Sequence, residues 1–195
     1  MLVYLSLGSN IGNRLNNIQT AIKLIKETCF NIIKISSVYE TSPWPIRSPA
    51  INTIADIPPF PRRDRITSSG LKGTTEQPPF LNLVLKGKTT LSPEELLKEI
   101  KRIEKEIGRE PTKKWGPRII DIDILFYDKK LLKSKELVIP HPQLHKRKFV
   151  LIPLKEIAPR LMHPLLKKTT TQMLKATDDN ESVVLYNKQK DNGWG

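Results

Sequence analysis

Apolar residues are spaced along this chain in two rhythms, and the rhythms predict its elements. Leu2–Leu7 is a short β-prone run ending at Gly8-Ser9-Asn10, a turn cluster. Asn13 then stands where it can cap a helix whose apolar positions, Ile18, Ala21, Ile22 and Ile25, recur at helical spacing. Ile32–Tyr39 predicts a second strand. Phe80–Leu85 predicts a third, with Phe80, Asn82 and Val84 on one face and Leu81, Leu83 and Leu85 on the other. Ser92-Pro93-Glu94-Glu95 is a helix start, combining a capping serine, a proline at the first helical position and a glutamate three residues after the serine. That helix carries Leu96, Leu97, Ile100, Ile103 and Ile107 along one face and stops at Gly108. Arg118–Tyr127 predicts a fourth strand, Leu137–Pro140 a short extended piece, and a proline-punctuated tail follows. The order β-α-β-β-α-β predicts an α+β, ferredoxin-like sandwich with an antiparallel sheet and both helices on one face.

One stretch interrupts this order. Pro43 to Pro79 holds eight of the 16 prolines and has no usable periodicity. A structureless connection of that length is either functional or a disordered insertion. The layout read from the sequence is one domain over 1–165, interrupted by a disordered proline-rich loop insertion at 46–78, with a C-terminal extension at 166–195. Nothing from Thr177 to Gly195 points to a role for the tail.

Composition narrows the classes. At 195 residues and 38% hydrophobic, the chain can bury one sizeable core. A single cysteine, Cys29, excludes a disulfide framework and multi-cysteine metal sites, and fits a reducing compartment. No apolar run approaches membrane-span length, and Met1-Leu2-Val3-Tyr4 lacks the basic start of a signal peptide, so a cytoplasmic location is expected. The formal net charge of +13 favours polyanionic partners, among which charge alone does not choose.

The chemistry concentrates in Lys114-Trp115-Gly116-Pro117-Arg118-Ile119-Ile120-Asp121-Ile122-Asp123-Ile124-Leu125. On a strand, Asp121 and Asp123 project from the same face, roughly 6.5–7 Å apart. Two carboxylates within an apolar strand are costly unless a cation compensates them, and Mg²⁺ suits one or two carboxylates plus substrate phosphates. Two such ions could clamp a phosphoryl transfer. The plain alternative is a solvent-facing strand side paired to nearby lysines. Trp115, Gly116, Pro117 and Arg118 add a stacking ring, a turn and a fork-shaped phosphate donor just ahead of the acidic pair. Other motifs lead nowhere. Gly87-Lys88-Thr89 mimics the end of a phosphate-binding loop, but position 82 is Asn rather than the required Gly. His141 and His145 lack both a helix and a third zinc ligand.

The Lys114–Leu125 run resembles the signature of the 6-hydroxymethyl-7,8-dihydropterin pyrophosphokinase family of folate biosynthesis. The likeness extends to Tyr4–Gly12, Ser36–Thr41, Phe80-Leu81-Asn82, Pro140-His141-Pro142, Arg147, Phe149, Ile152-Pro153-Leu154 and Ile157-Ala158-Pro159. The resemblance implies transfer of pyrophosphate from ATP, the co-substrate, to the pterin hydroxymethyl oxygen, with release of AMP. It implies two Mg²⁺ ions on Asp121 and Asp123, with Arg118 and Arg109 stabilising the transferred group. It places Glu104, Ile124, His141 and Arg147, together with the two arginines, around ATP. It places the pterin between Trp115 and Phe149, with Thr41, Pro43, Trp44, Phe80 and Asn82 around its edges. The implied partners are these small molecules only, with no nucleic acid or membrane, and the implied state is a monomer.

Two departures from the family pattern stand out. The loop joining the second and third strands is longer than usual, and pterin-pocket positions flank it; the connection from Arg109 to Trp115 is slightly short. Two other classes remain open at this level: a basic nucleic-acid-binding domain of the same fold, and an inactive homologue. No RNP-like aromatic pattern supports the first, and the intact Asp121, Asp123, Arg118 and Asn82 weigh against the second.

Overall fold

A computed structural model describes residues 1–28, 30–41, 78–110 and 117–186. Its strands and helices run β1 (Leu2–Ser9), α1 (Arg14–Thr28), β2 (Asn31–Ile35), β3 (Tyr39–Thr41), β4 (Phe80–Lys88), α2 (Pro93–Glu106), β5 (Asp121–Tyr127), β6 (Leu132–Lys133), β7 (Val138–Ile139), α3 (Lys148–Ile157), α4 (Thr170–Ala176) and β8 (Val183–Leu185). The main sheet is ordered β5-β1-β4-β3-β8, with β2 also on β4, and each pairing is antiparallel. The expected antiparallel α+β architecture is therefore present.

The helix starts follow the local sequence. Asn13 accepts from the Asn16 N–H at 3.1 Å, the expected cap of α1. Ser92 and Glu95 close a full capping box on α2, and Gly108 ends that helix with φ +101°, a backbone geometry that a side chain would strain. Both helices bury their apolar stripes, Ile18, Ala21 and Ile25 from α1 and Leu96, Ile100 and Ile103 from α2. They pack against Leu5, Leu7, Leu81, Leu83, Leu85, Ile122 and Ile124 on one sheet face.

Three expectations change. The predicted strand Ile32–Tyr39 is two strands, because at Ser36, whose N–H still donates to the Val84 carbonyl at 3.0 Å, the side chain takes the place of the backbone carbonyl. Its Oγ accepts from the Val84 N–H at 2.9 Å and donates to the Ser37 carbonyl at 2.8 Å. The predicted strand from Arg118 begins only at Asp121, since Asn10 holds Arg118 at both its N–H and its carbonyl. The proline-punctuated tail contains α3, with Pro153 inside the helix. A helix-interior proline costs about 3 kcal/mol. Val150, Leu151, Leu154 and Ile157 are buried in a second core with Tyr4, Val84, Phe126 and Met173, and each such side chain contributes about 1.5–3 kcal/mol. Burial outweighs the proline. α3 and α4 thus cover part of the second sheet face, and residues after 165 supply α4 and β8 to the same body.

The long connection lies outside the described residues from 42 to 77, but its ends are set. Thr41 pairs with Phe80 on adjacent strands. Asn10 Nδ2 and Arg14 Nη1 donate to the carbonyls of Pro78 and Pro79 at 3.3 and 2.8 Å.

Candidate active site

Register puts the chemistry on one face. Asp121 pairs with Gly8 and Asp123 with Ser6; Gly8 pairs with Asn82, Asn82 with Tyr39, and Phe80 with Thr41. Opposed residues share a face, so Asp121, Asp123, Asn82, Phe80 and Thr41 form one row across four strands, on the side away from α1 and α2. Glycine at position 8 makes the row possible, because a Cβ there would lie 2.8 Å from Asn82 Oδ1. Asn82 is 4% exposed, and its Nδ2 donates to Thr41 Oγ1 at 2.8 Å, which leaves Oδ1 as an acceptor toward Gly8.

The acidic pair is ringed by cations. Arg109 and Arg118 hold opposite oxygens of Asp121, at 2.8 and 2.5 Å. Burial, and then the charge of Asp121, push the Asp123 carboxyl up to about 6, against the pull of Arg147, Lys101 and Arg118. A site that resists its own negative charge is suited to a hard divalent cation. Among the described residues no cluster of three or more side-chain ligands forms, so further ligands would come from water or phosphate oxygens.

Arg147 and Phe149 sit at the start of α3, the guanidinium 5.6 Å from the ring centroid. His141 Nδ1 accepts from the Gln143 N–H at 3.3 Å. Burial and then Arg147 lower its pKa to about 4, so the imidazole is neutral and offers an Nε2–H donor rather than a charge.

Two residues expected around the nucleotide lie beneath this face. The Ile124 side chain belongs to the core with α1 and α2. Glu104 is 2% exposed. Its Oε1 accepts from the Ile122 N–H at 2.8 Å and from Arg109, and its Oε2 accepts from Lys101 at 2.8 Å. It ties α2 to the β5 backbone between the two aspartates. Pro43, Trp44 and Trp115 lie outside the described residues.

Sequence reasoning missed three supports. Asn10, taken as part of a turn, is 1% exposed and clamps Arg118, with the Arg118 N–H bonded to its Oδ1 at 2.7 Å and its own N–H to the Arg118 carbonyl at 3.1 Å. Glu156 on α3 accepts from the Ser37 N–H, Ser37 Oγ and Tyr39 OH at 2.9–3.0 Å, which anchors β3. Asp179 accepts from the Lys148 N–H at 2.6 Å. Only Asn10 had a signal, its place in the Gly8-Ser9-Asn10 motif.

The chain is similar to known proteins over most of its length. A model of the 7,8-dihydro-6-hydroxymethylpterin-pyrophosphokinase family matches residues 4–159. The 2-amino-4-hydroxy-6-hydroxymethyldihydropteridine pyrophosphokinase of Aquifex aeolicus is 43% identical over 166 residues, 85% of this chain and 86% of that one. The Bacillus subtilis protein of the same name is 33% identical over 172 residues, 88% of this chain and 86% of that one. The crystal structure of wild-type Plasmodium falciparum HPPK-DHPS superposes with a TM-score of 0.62 at 21% identity, over 89% of this chain and 44% of that one. A Dictyostelium discoideum folic acid synthesis protein is 39% identical over 172 residues, and this chain spans only 22% of it. The chain belongs to the 7,8-dihydro-6-hydroxymethylpterin-pyrophosphokinase family.

Proposed function

We propose that the row from Asp121 to Thr41, with the arginines around it, carries the transfer of pyrophosphate from ATP to 6-hydroxymethyl-7,8-dihydropterin that the chain performs as a member of this family. The observation that carries the assignment is the position of Asp121 and Asp123 on one sheet face, with Arg109 and Arg118 on Asp121 and the charge of Arg147 acting on both aspartates.

Asp121 and Asp123 are the residues that would hold two Mg²⁺ ions, which supply charge neutralisation to the ATP phosphates and polarise the group in transfer. The aspartates contribute hard oxygen donors, the kind of ligand this cation takes. Arg109 and Arg118, now balancing Asp121, would turn to the phosphates as the acidic pair fills. Arg147 adds a third cation and His141 a neutral hydrogen-bond donor at the ATP end. Such a site works by position and charge, with little covalent chemistry of its own. Glu104 and Ile124 reach ATP through what they position: Glu104 through Arg109, Ile124 through the β5 backbone.

On the pterin side, Phe149 supplies a ring face, and Asn82 Oδ1, with Thr41 fixing its amide, supplies an acceptor. Phe80 closes the edge, and Pro43, Trp44 and Trp115 complete the pocket in this reading. The strand order, with β2 and β3 sharing the far edge of β4, supports the ferredoxin-like topology. The three-rung pairing of β3 with β4, ending at Thr41 and Phe80, supports a tolerated insertion over 46–78, because ends already held together make loop length inexpensive. A cytoplasmic monomer completes the proposal. Among the described residues no helix is long and apolar enough to cross a membrane.

The test is AMP release from ATP, measured with and without the pterin and Mg²⁺. Turnover should need all three, and Asp123→Ala should abolish it while leaving the thermal melt in place. Near-normal activity in that variant would remove the metal assignment.

A further inference from the structure

The segment following α4 makes contacts that only a folded chain reveals. From Thr177 it passes the first turn of α3, where Asp179 Oδ2 accepts from the Lys148 N–H at 2.6 Å and Asp179 Oδ1 from the Glu181 N–H at 2.9 Å. The N-cap of α3 is Arg147, which offers no side-chain cap of its own, and no acidic residue lies in the first turn. Asp179 supplies what that helix start lacks, an anionic acceptor at the positive end of the dipole. Beyond it, β8 joins β3, with Val183 opposite Thr41 and the Tyr186 N–H bonded to the Val38 carbonyl at 2.9 Å. Between these anchors the Glu181 carboxylate oxygens are buried without a hydrogen-bond partner. Burial and then Asp179 push that carboxyl up to about 7, against the pull of Arg147. One short segment thus grips the element that presents Arg147 and Phe149 and the strand that presents Thr41.

We propose that Asp179 is a positioning residue for the transfer reaction, and that Thr177–Leu185 is a strap setting α3 against the β3 edge so that Arg147 and Phe149 are held toward Asn82 and Thr41. The proposal rests on the reading in which Arg147 and Phe149 contact the substrates. Released from the strap, these side chains would have to be ordered by the substrates themselves, at about 1 kcal/mol for each. With Arg147 meeting ATP and Phe149 the pterin, that corresponds to roughly a five- to tenfold rise in the KM of each substrate taken alone, with the chemical step little changed.

Two variants cut the same bond from opposite sides. Asp179→Ala removes the acceptor. Lys148→Pro removes the donor while placing proline at the first helical position, where it is favoured, after an Arg147 backbone (φ −126°, ψ 108°) that tolerates a following proline. In the full-length protein, each should raise the KM for ATP or pterin about five- to tenfold with kcat within about twofold. The double variant should add nothing further, and Asp179→Asn, which keeps one acceptor oxygen for the Lys148 N–H but loses the charge and the second acceptor, should fall between Asp179→Ala and wild type. Should Asp179→Ala fail to fold, Lys148→Pro decides alone. An unchanged KM in Lys148→Pro, or an Asp179→Ala effect confined to the melting temperature, overturns the proposal. Arg147→Ala and Phe149→Ala are the controls. Normal KM values in both would show that the site assignment itself is wrong and take the strap's role down with it; raised values there with a normal Lys148→Pro would reject the strap alone.

Discussion

Replacing Glu104 with alanine tests whether a carboxylate beneath the sheet holds the site's central strand. The side chain is 2% exposed and accepts from three donors. Those donors do not matter equally. Lys101 is 53% exposed, so its pair contributes about 0–1 kcal/mol. Arg109 keeps its 2.8 Å bond to Asp121 and is not stranded. The Ile122 N–H loses its acceptor, and orphaning a buried donor costs about 1–3 kcal/mol. Loss of the one buried methylene beyond Cβ adds about 0.8 kcal/mol. Glu104→Ala should therefore lose about 2–4 kcal/mol, a fall in Tm of roughly 4–16 °C for a chain of this size. Glu104→Gln keeps the acceptor and the volume, and should lose only about 1 kcal/mol. Urea melts followed by far-ultraviolet circular dichroism measure both, and the KM for ATP, read where Glu104→Ala is still folded, should rise because Arg109 has lost one of its two anchors. A Glu104→Ala loss below about 1 kcal/mol, or equal losses in the two variants, would refute the view that the bond to the Ile122 backbone dominates.

Three further outcomes follow from the same geometry. Gly8→Ala places a Cβ against Asn82 Oδ1, which is held by its bond to Thr41; the KM for pterin should rise up to about tenfold, the value of one hydrogen bond, while far-ultraviolet spectra stay unchanged. Asn10→Ala strips the Arg118 N–H of its acceptor, at about 1–3 kcal/mol in a thermal melt, and Asn10→Asp, which keeps that acceptor but loses the donor to the Pro78 carbonyl and buries a charge, should not recover the loss. Glu181 gives a pH dependence. Its folded pKa of about 7 lies above its ordinary 4.5, so the folded state holds the proton more tightly and stability falls as pH rises from about 4.5 to 7. The shift sets a ceiling of ~3 kcal/mol, reduced to ~1 kcal/mol because the residue around the covered carboxylate oxygens is only half-buried. Asp179 and Arg147 are the charges that face it. Glu181→Gln should be more stable than the parent at pH 8 and equal to it at pH 4.5, and a melting difference independent of pH would refute this.

Much of this was legible in the chain because the physics is local. Period-two and helical spacing reach only a few residues, so β4, α1 and α2 were predictable, as were the Asn13 cap and the Ser92–Glu95 box. The alternation along Phe80–Leu85 also sorted Asn82 from the leucines correctly, and it put Asp121 and Asp123 on one face. What local patterns could not supply was the face shared between strands. Asp121 meets Gly8, and Gly8 meets Asn82, only through the register of an antiparallel sheet.

The remaining decisions belong to contacts between distant residues. α3 forms despite Pro153 because a second core awaits its apolar side, and no rule of propensity counts that burial. Ser36 breaks a strand because Val84, 48 residues later, takes its hydroxyl. Arg118 is held by Asn10 across 108 residues, Ser37 by Glu156 across 119 and Lys148 by Asp179 across 31. The sequence by itself determined which residue types could carry the chemistry, the family they belong to and which side each takes within its own strand. Tertiary structure decided which residues hold them there, because a buried donor or acceptor must find its partner wherever the fold brings one.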